Sequence, residues 1–214
     1  MTEKKIKFIK STFKKYPANK STKLLCLLVS SIAYKNNGLI EHSFELLMEY
    51  KVSTAKIYES ILQTYLFCGF PAAIEALMVF DNFYPDHSKP AYKYNSVKYL
   101  KDGSKNCKII YGDSFKKLIR NFKKISPEME QWMLIEGYGK VFNRKSLNLK
   151  QRELLNVCML SVNFYPRQLY SHINGCKNTG ITKNQLLEVL DLILPIMAKK
   201  RISKIKDIVN SIFI

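Results

Sequence analysis

Along most of this chain the apolar residues fall at the three- and four-residue spacing that places them on one face of an α-helix. Residues 21–34 and 149–163 are apolar nearly all round, so each predicts a helix buried on every side. The first is followed by a helix carrying His42, the second by one carrying His172. A third helix then opens on a capping hydroxyl, Ser53 or Thr182. Ile57, Ile61, Leu62 and Tyr65 follow in one case, and Leu186, Leu187, Leu190, Ile193 and Leu194 in the other. Gly180, just before Thr182, fits a helix C-terminal cap. Helical pattern resumes at about 113–124 and again after Ser126-Pro127-Glu128, where proline takes the first turn it tolerates. Nothing predicts a sheet, and the fold class expected is all-α.

This succession of helices occurs twice. Offsetting the chain by 130 residues (154 minus 24) pairs Leu24 and Leu25 with Leu154 and Leu155, Ser31 with Ser161, Leu39 with Leu169 and His42 with His172 without a gap. Beyond that the register slips by one, and the segments from Val52 and Ile181 match with Glu59 on Glu188. Residues 1–84 are thus expected to hold an N-terminal extension and a first repeat, and residues 112–214 a second repeat. Residues 85–111, polar, tyrosine-rich and carrying two prolines, read as a connecting loop or extended arm.

Composition narrows the classes. With 214 residues, 47% of them hydrophobic, the chain can bury a core without covalent staples. Its five cysteines, Cys26, Cys68, Cys107, Cys158 and Cys176, are odd in number and show no Cys-x-x-Cys or zinc-finger spacing. They read as free, mostly buried thiols in a reducing cytoplasm. The net charge of +18 attracts anions in general. Lysine far outnumbers arginine, however, and apart from Lys4–Lys15 the lysines are scattered, so a specific nucleic-acid partner is not expected. The basic stretch ahead of the apolar run Leu24–Ala33 imitates a secretory signal, yet it is too long, lacks a cleavage site, and precedes a run too short to span a bilayer. No membrane association is expected, and the cytoplasm is the expected location.

One ordered series of motifs goes further. The second half contains Glu136-Gly-Tyr-Gly-Lys-Val-Phe-Asn-Arg144, then Arg152-Glu-Leu-Leu155, then Tyr165-Pro-Arg-Gln-Leu-Tyr-Ser-His172, then Gly180-Ile-Thr182. The first half contains Cys68-Gly-Phe-Pro-Ala-Ala73. In order and spacing these resemble the carboxymuconolactone decarboxylase / alkylhydroperoxidase D superfamily, and the chain resembles a fused two-copy member of it. The resemblance covers about 20–84 and 126–200. It implies a duplicated helical repeat and, since single-copy relatives form helical rings, a homo-oligomer in which three fused chains rebuild the ring. The peroxidase branch places two cysteines between its glutamate and histidine. Here Glu153 and His172 hold the outer positions while Tyr165 and Gln168 stand at the cysteine positions, so thiol peroxidase activity is not expected.

The decarboxylase branch requires no thiol. Loss of carbon dioxide from a carboxylated lactone leaves carbanion character, so such an enzyme must hold anionic groups and deliver a proton. By resemblance His172 is the proton donor and Glu153 its orienting base. Arg144, Arg152 and Arg167 are candidate carboxylate clamps, with Gln168 and Tyr170 as polar contacts. Lys23 replaces the glutamate in the first copy, leaving His42 without a matching carboxylate. No cofactor is implied. His42, His87 and His172 are too scattered to suggest a metal. The expected function is a lyase-type enzyme acting on a small carboxylated molecule. The alternative is a non-catalytic binding or structural protein of the same fold, in which His172 is a buried hydrogen-bonded residue, Arg152 and Glu153 make helix ion pairs, and Tyr170 packs.

Overall fold

The computed structural model describes residues 3–16, 19–88 and 92–213. The chain is all-α. Its helices are α1 (Glu3–Lys15), α2 (Lys20–Ala33), α3 (Asn37–Glu49), α4 (Thr54–Phe83), α5 (Ser96–Tyr111), α6 (Phe115–Ile125), α7 (Pro127–Trp132), a π-helical segment (Met133–Val141), α8 (Leu149–Asn163), α9 (Pro166–Asn178), α10 (Lys183–Ile193) and α11 (Lys199–Ile212). No strand occurs among the described residues.

The two helices that the pattern marked as buried all round are the centre of the molecule. From Lys23 to Ala33 in α2 and from Arg152 to Val162 in α8 every residue is buried. They pack against each other, with α3 and α4 on one and α9 on the other. The caps explain where several helices begin. Asn148 and Thr182 each close a capping box with the glutamine three residues on, Gln151 and Gln185. Asn36 caps α3 and Asn95 caps α5, whereas the Ser53 hydroxyl makes no cap bond at α4. At the end of α9, Gly180 adopts φ 85°, the left-handed geometry that lets the Ile181 amide reach back to Cys176.

Two elements depart from expectation. Within the segment read as an arm, residues 89–91 lie outside the described residues, but Ser96–Tyr111 is a helix rather than extended chain. Only Gly103, Cys107 and Ile110 are buried in it, a face too narrow to stand out in a polar sequence. That face closes on the π-helical segment, where Gly103 and Gly139 let the two backbones meet: a Cβ on either would collide with carbonyl oxygen of the other element, Leu134 or Tyr99. Cys107, Ile110, Leu134, Tyr138, Val141 and Phe142 form a second, smaller core there.

The other departure is α4. Its best 18-residue window has mean hydropathy 1.4, apolar enough by length and composition to cross a membrane, and only 28% of that window is buried. The helix is broken, though. Gly69 sits at φ 82°, ψ 165°, followed by Phe70 and Pro71, so two shorter helices meet at a kink. The helix packs against both α2 and α8, with Ile57, Ile61 and Gln63 of its first half buried. The second half leaves Phe70, Ile74 and Met78 exposed at four-residue spacing.

Candidate active site

Because α8 is buried on every side, its polar residues Arg152, Glu153 and Asn156 must be satisfied inside the protein. Arg152 and Glu153 are both 0% exposed. Each finds its partners on a different neighbour. Glu153 Oε2 lies 2.9 Å from His172 Nδ1 on α9. A carboxylate only accepts, so Nδ1 carries the proton and donates it, and Nε2 is left as the lone-pair nitrogen. The Asn156 side-chain amide lies 3.3 Å from both Glu153 Oε1 and His172 Nδ1. With Nδ1 already donating, the amide's acceptor is the carboxylate. Phe67 stands edge-on to the imidazole at 5.4 Å, and the His172 side chain is 8% exposed. Gly175, one turn beyond His172, makes room for the pair, since a Cβ there would occupy the position of Glu153 Oε2.

On the opposite side Arg152 donates to Glu59 Oε2 at 3.2 Å, to Gln63 Oε1 at 3.1 Å and to the Arg144 carbonyl at 2.9 Å. Burial lowers its pKa to about 10, with Glu59 acting to raise it, so it stays charged near neutrality. Arg144 Nε donates to the other Glu59 oxygen at 2.6 Å. Gln63 completes the link by donating to Arg152 O at 2.8 Å and to Asn156 Oδ1 at 2.6 Å. A single hydrogen-bonded chain therefore runs from Arg144 through Glu59, Arg152, Gln63, Asn156 and Glu153 to His172.

The residues that the sequence grouped together thus divide. Glu153 and His172 meet. Arg144 and Arg152 are held by Glu59 at the far end of the chain, and Arg152, fully buried, touches no solvent, which contradicts a role as a substrate clamp. Arg144 lines a cavity of about 380 Å³ with Tyr58, Glu59, His87 and Lys145 beside the start of α4. Gln168 lies one turn before His172 and is exposed. Arg167 and Tyr170 are exposed as well, but the helical repeat turns them to the other side of α9, so neither joins His172. None of the three principal cavities is lined by Glu153 or His172.

In the first half the equivalents are wired differently. Lys23 Nζ pairs with Glu188 at 2.7 Å and donates to the Tyr16 carbonyl at 2.9 Å. His42 Nδ1 lies 2.8 Å from Glu45 on its own helix, and its Nε2 is buried without a partner. Glu59 and Glu188, which match in the sequence offset, thus each clasp a cation at the start of the other half's central helix. Four of the thiols are held away from ionisation. Burial pushes Cys68 up to about 11 and raises Cys107 and Cys176, and a hydrogen bond with Cys158 together with burial raises Cys26.

The residues missed from sequence were Glu59, Gln63 and Asn156. Glu59 had one signal, its match to Glu188; the other two had only their place on helices with buried faces. Neither a scan against known protein-family models nor a search of curated proteins finds a match to this chain.

Breaking the far end of the chain exposes its energetic role. Glu59→Gln leaves Arg152 buried without a counter-charge and is expected to cost about 3–5 kcal/mol, whereas adding Arg152→Met to it removes the buried charge and recovers most of that loss. Chemical denaturation checks both. A single variant within about 0.5 kcal/mol of wild type, the usual surface-substitution range, contradicts the assignment.

Proposed function

We propose that this protein is an acid–base enzyme of the carboxymuconolactone decarboxylase type, acting on a small carboxylated substrate, with His172 passing the proton and Glu153 holding its ring. The observation that carries this reading is the 2.9 Å contact between Glu153 Oε2 and His172 Nδ1, fully buried on the glutamate side. It fixes the tautomer and leaves Nε2, which has no hydrogen-bond partner among the described residues, as the nitrogen free to take up a proton. A buried carboxylate behind an imidazole stabilises the imidazolium that proton transfer creates, which is the electrostatic requirement of the step. Arg144, at the other end of the chain and on the wall of the 380 Å³ cavity, is the one predicted arginine that both faces open space and belongs to the same network.

A second reading, a binding or structural protein of the same fold, is favoured by one observation: His172 is covered and lines none of the principal cavities. Carboxylated lactones and keto acids, screened first by thermal shift and then for turnover, separate the two readings. On the enzyme reading Glu153→Gln lowers turnover by roughly 10² to 10⁴, the range for a lost acid–base group, while His42→Asn changes it only a few-fold. Ligands that stabilise wild type and Glu153→Gln equally, with no turnover by either, identify the binding protein instead.

The assembly proposed with this reading is a homo-oligomer, most simply three fused chains, with the cytoplasm as its location. The exposed stripe Phe70, Ile74 and Met78 supports self-association, because a row of large apolar side chains at helical spacing gains from being covered. Light scattering is expected to return a multiple of 24.9 kDa. A monomer at micromolar concentration contradicts the assembly.

A further inference from the structure

The fold covers one basic helix, α6, and the short α7 that follows it only in part. α6 reads Phe-Lys-Lys-Leu-Ile-Arg-Asn-Phe-Lys-Lys-Ile from Phe115 to Ile125, with five cations, five apolar residues and no acid. At about 100° per residue Phe115, Leu118, Ile119, Phe122 and Ile125 fall within one arc of roughly 120°, and Lys116, Lys117, Arg120, Lys123 and Lys124 within the arc facing it. None of its residues is buried, and none of those in α7. Phe115, Leu118 and Ile119 only lean on the second core. An open groove of about 640 Å³ beside the helix is lined by Phe115, Lys116, Ile119, Arg120, Leu134 and, from α7, Glu130. Past its end Ile125 is 83% exposed, and on α7 Trp132 is 57% exposed, with Met129 exposed beside it.

The two other basic amphipathic helices behave differently. α1 buries Ile9 and Phe13, and α11 buries Ile205, Val209 and Ile212. Their apolar faces reach full burial; that of α6 is covered only in part and ends on the exposed Ile125, beside the exposed Met129 and Trp132 of α7. From this we infer that the α6–α7 hairpin is a peripheral docking surface for an anionic lipid bilayer, with α6 lying in the plane of the headgroups. Ile125, Met129 and Trp132 would enter the boundary with the acyl chains while the lysines of α6 meet the lipid charge.

Charge complementarity selects this occupant over the others. A second copy of the chain brings another +18 and the same cationic helix, so self-association through this face is repelled. A nucleic acid satisfies the lysines but leaves Ile125, Met129 and Trp132 in water. An anionic bilayer covers both faces at once, and aromatic side chains such as that of Trp132 favour its interface. No spanning segment is required. The proposal is independent of the reaction assigned to His172.

Trp132 is the chain's single tryptophan, so its fluorescence reports on this site alone. The full-length protein is titrated with vesicles of phosphatidylcholine and with vesicles containing about 30% phosphatidylserine, followed by Trp132 emission and co-sedimentation. A blue shift and pelleting with the anionic vesicles only, reversed by about 0.5 M salt, are expected, since screening at that strength cancels surface attraction. Lys123→Ala/Lys124→Ala is expected to weaken partitioning about 30-fold, from roughly 1 kcal/mol per cation near such a surface. Ile125→Asn weakens it as well, and because all three side chains are exposed, the melting temperature of each variant stays at that of wild type. Four results overturn the proposal: no shift with anionic vesicles, equal binding to neutral ones, full binding by both variants, or a Trp132 shift produced by a duplex oligonucleotide and not by vesicles.

Discussion

Everything around the candidate site follows from placing a charged arginine inside the central helix of a bundle. Arg152 is buried on all sides, and an unpaired charge there would cost several kcal/mol. No residue of α8 supplies its counter-ion. Glu59 does, from α4 in the other half of the chain, with Gln63 one turn further along the same helix holding both the arginine and Asn156. Asn156 in turn fixes the carboxylate that holds His172. The requirement to neutralise one cation therefore sets the depth and rotation of α4 against α8, and through Asn156 the orientation of the imidazole on α9.

The two halves are joined by a crossed pair of clasps rather than by apolar contact alone. Glu59 reaches Arg152, and Glu188 reaches Lys23. The two glutamates that match in the sequence offset therefore make reciprocal contacts between the halves. The two halves differ at the positions of Glu153 and Lys23. Where the second has Glu153 against His172, the first has Lys23 turned away to Glu188 and His42 bonded to its own helix neighbour Glu45. Among the described residues, only His172 is backed by a buried carboxylate.

Local signals carried a good part of the architecture. The all-round apolar runs gave α2 and α8, asparagine and threonine caps set several helix starts, and Gly180 marked the end of α9. The meeting of Glu153 and His172 was legible because a buried charge on a central helix needs a partner and the next helix offered one. What sequence hid is long-range. α5 escaped because only Gly103, Cys107 and Ile110 are buried in it, and the first two are not strong apolar signals. Arg152 was assigned to a substrate because the sequence does not disclose that Glu59, more than ninety residues away, already holds it. Partner choice across such separations is decided by tertiary geometry, not by spacing along a helix.

The orientation of His172 is where fold and chemistry meet. Long-range proton–nitrogen NMR of selectively labelled histidine reads the tautomer of each ring. At a pH where the ring is neutral, His172 is predicted to carry its proton on Nδ1, with Nε2 unprotonated, and to lose that preference in Glu153→Gln. An Nε2-protonated His172 in the wild-type protein would mean that Glu153 does not hold the ring, and the acid–base reading would fall with it.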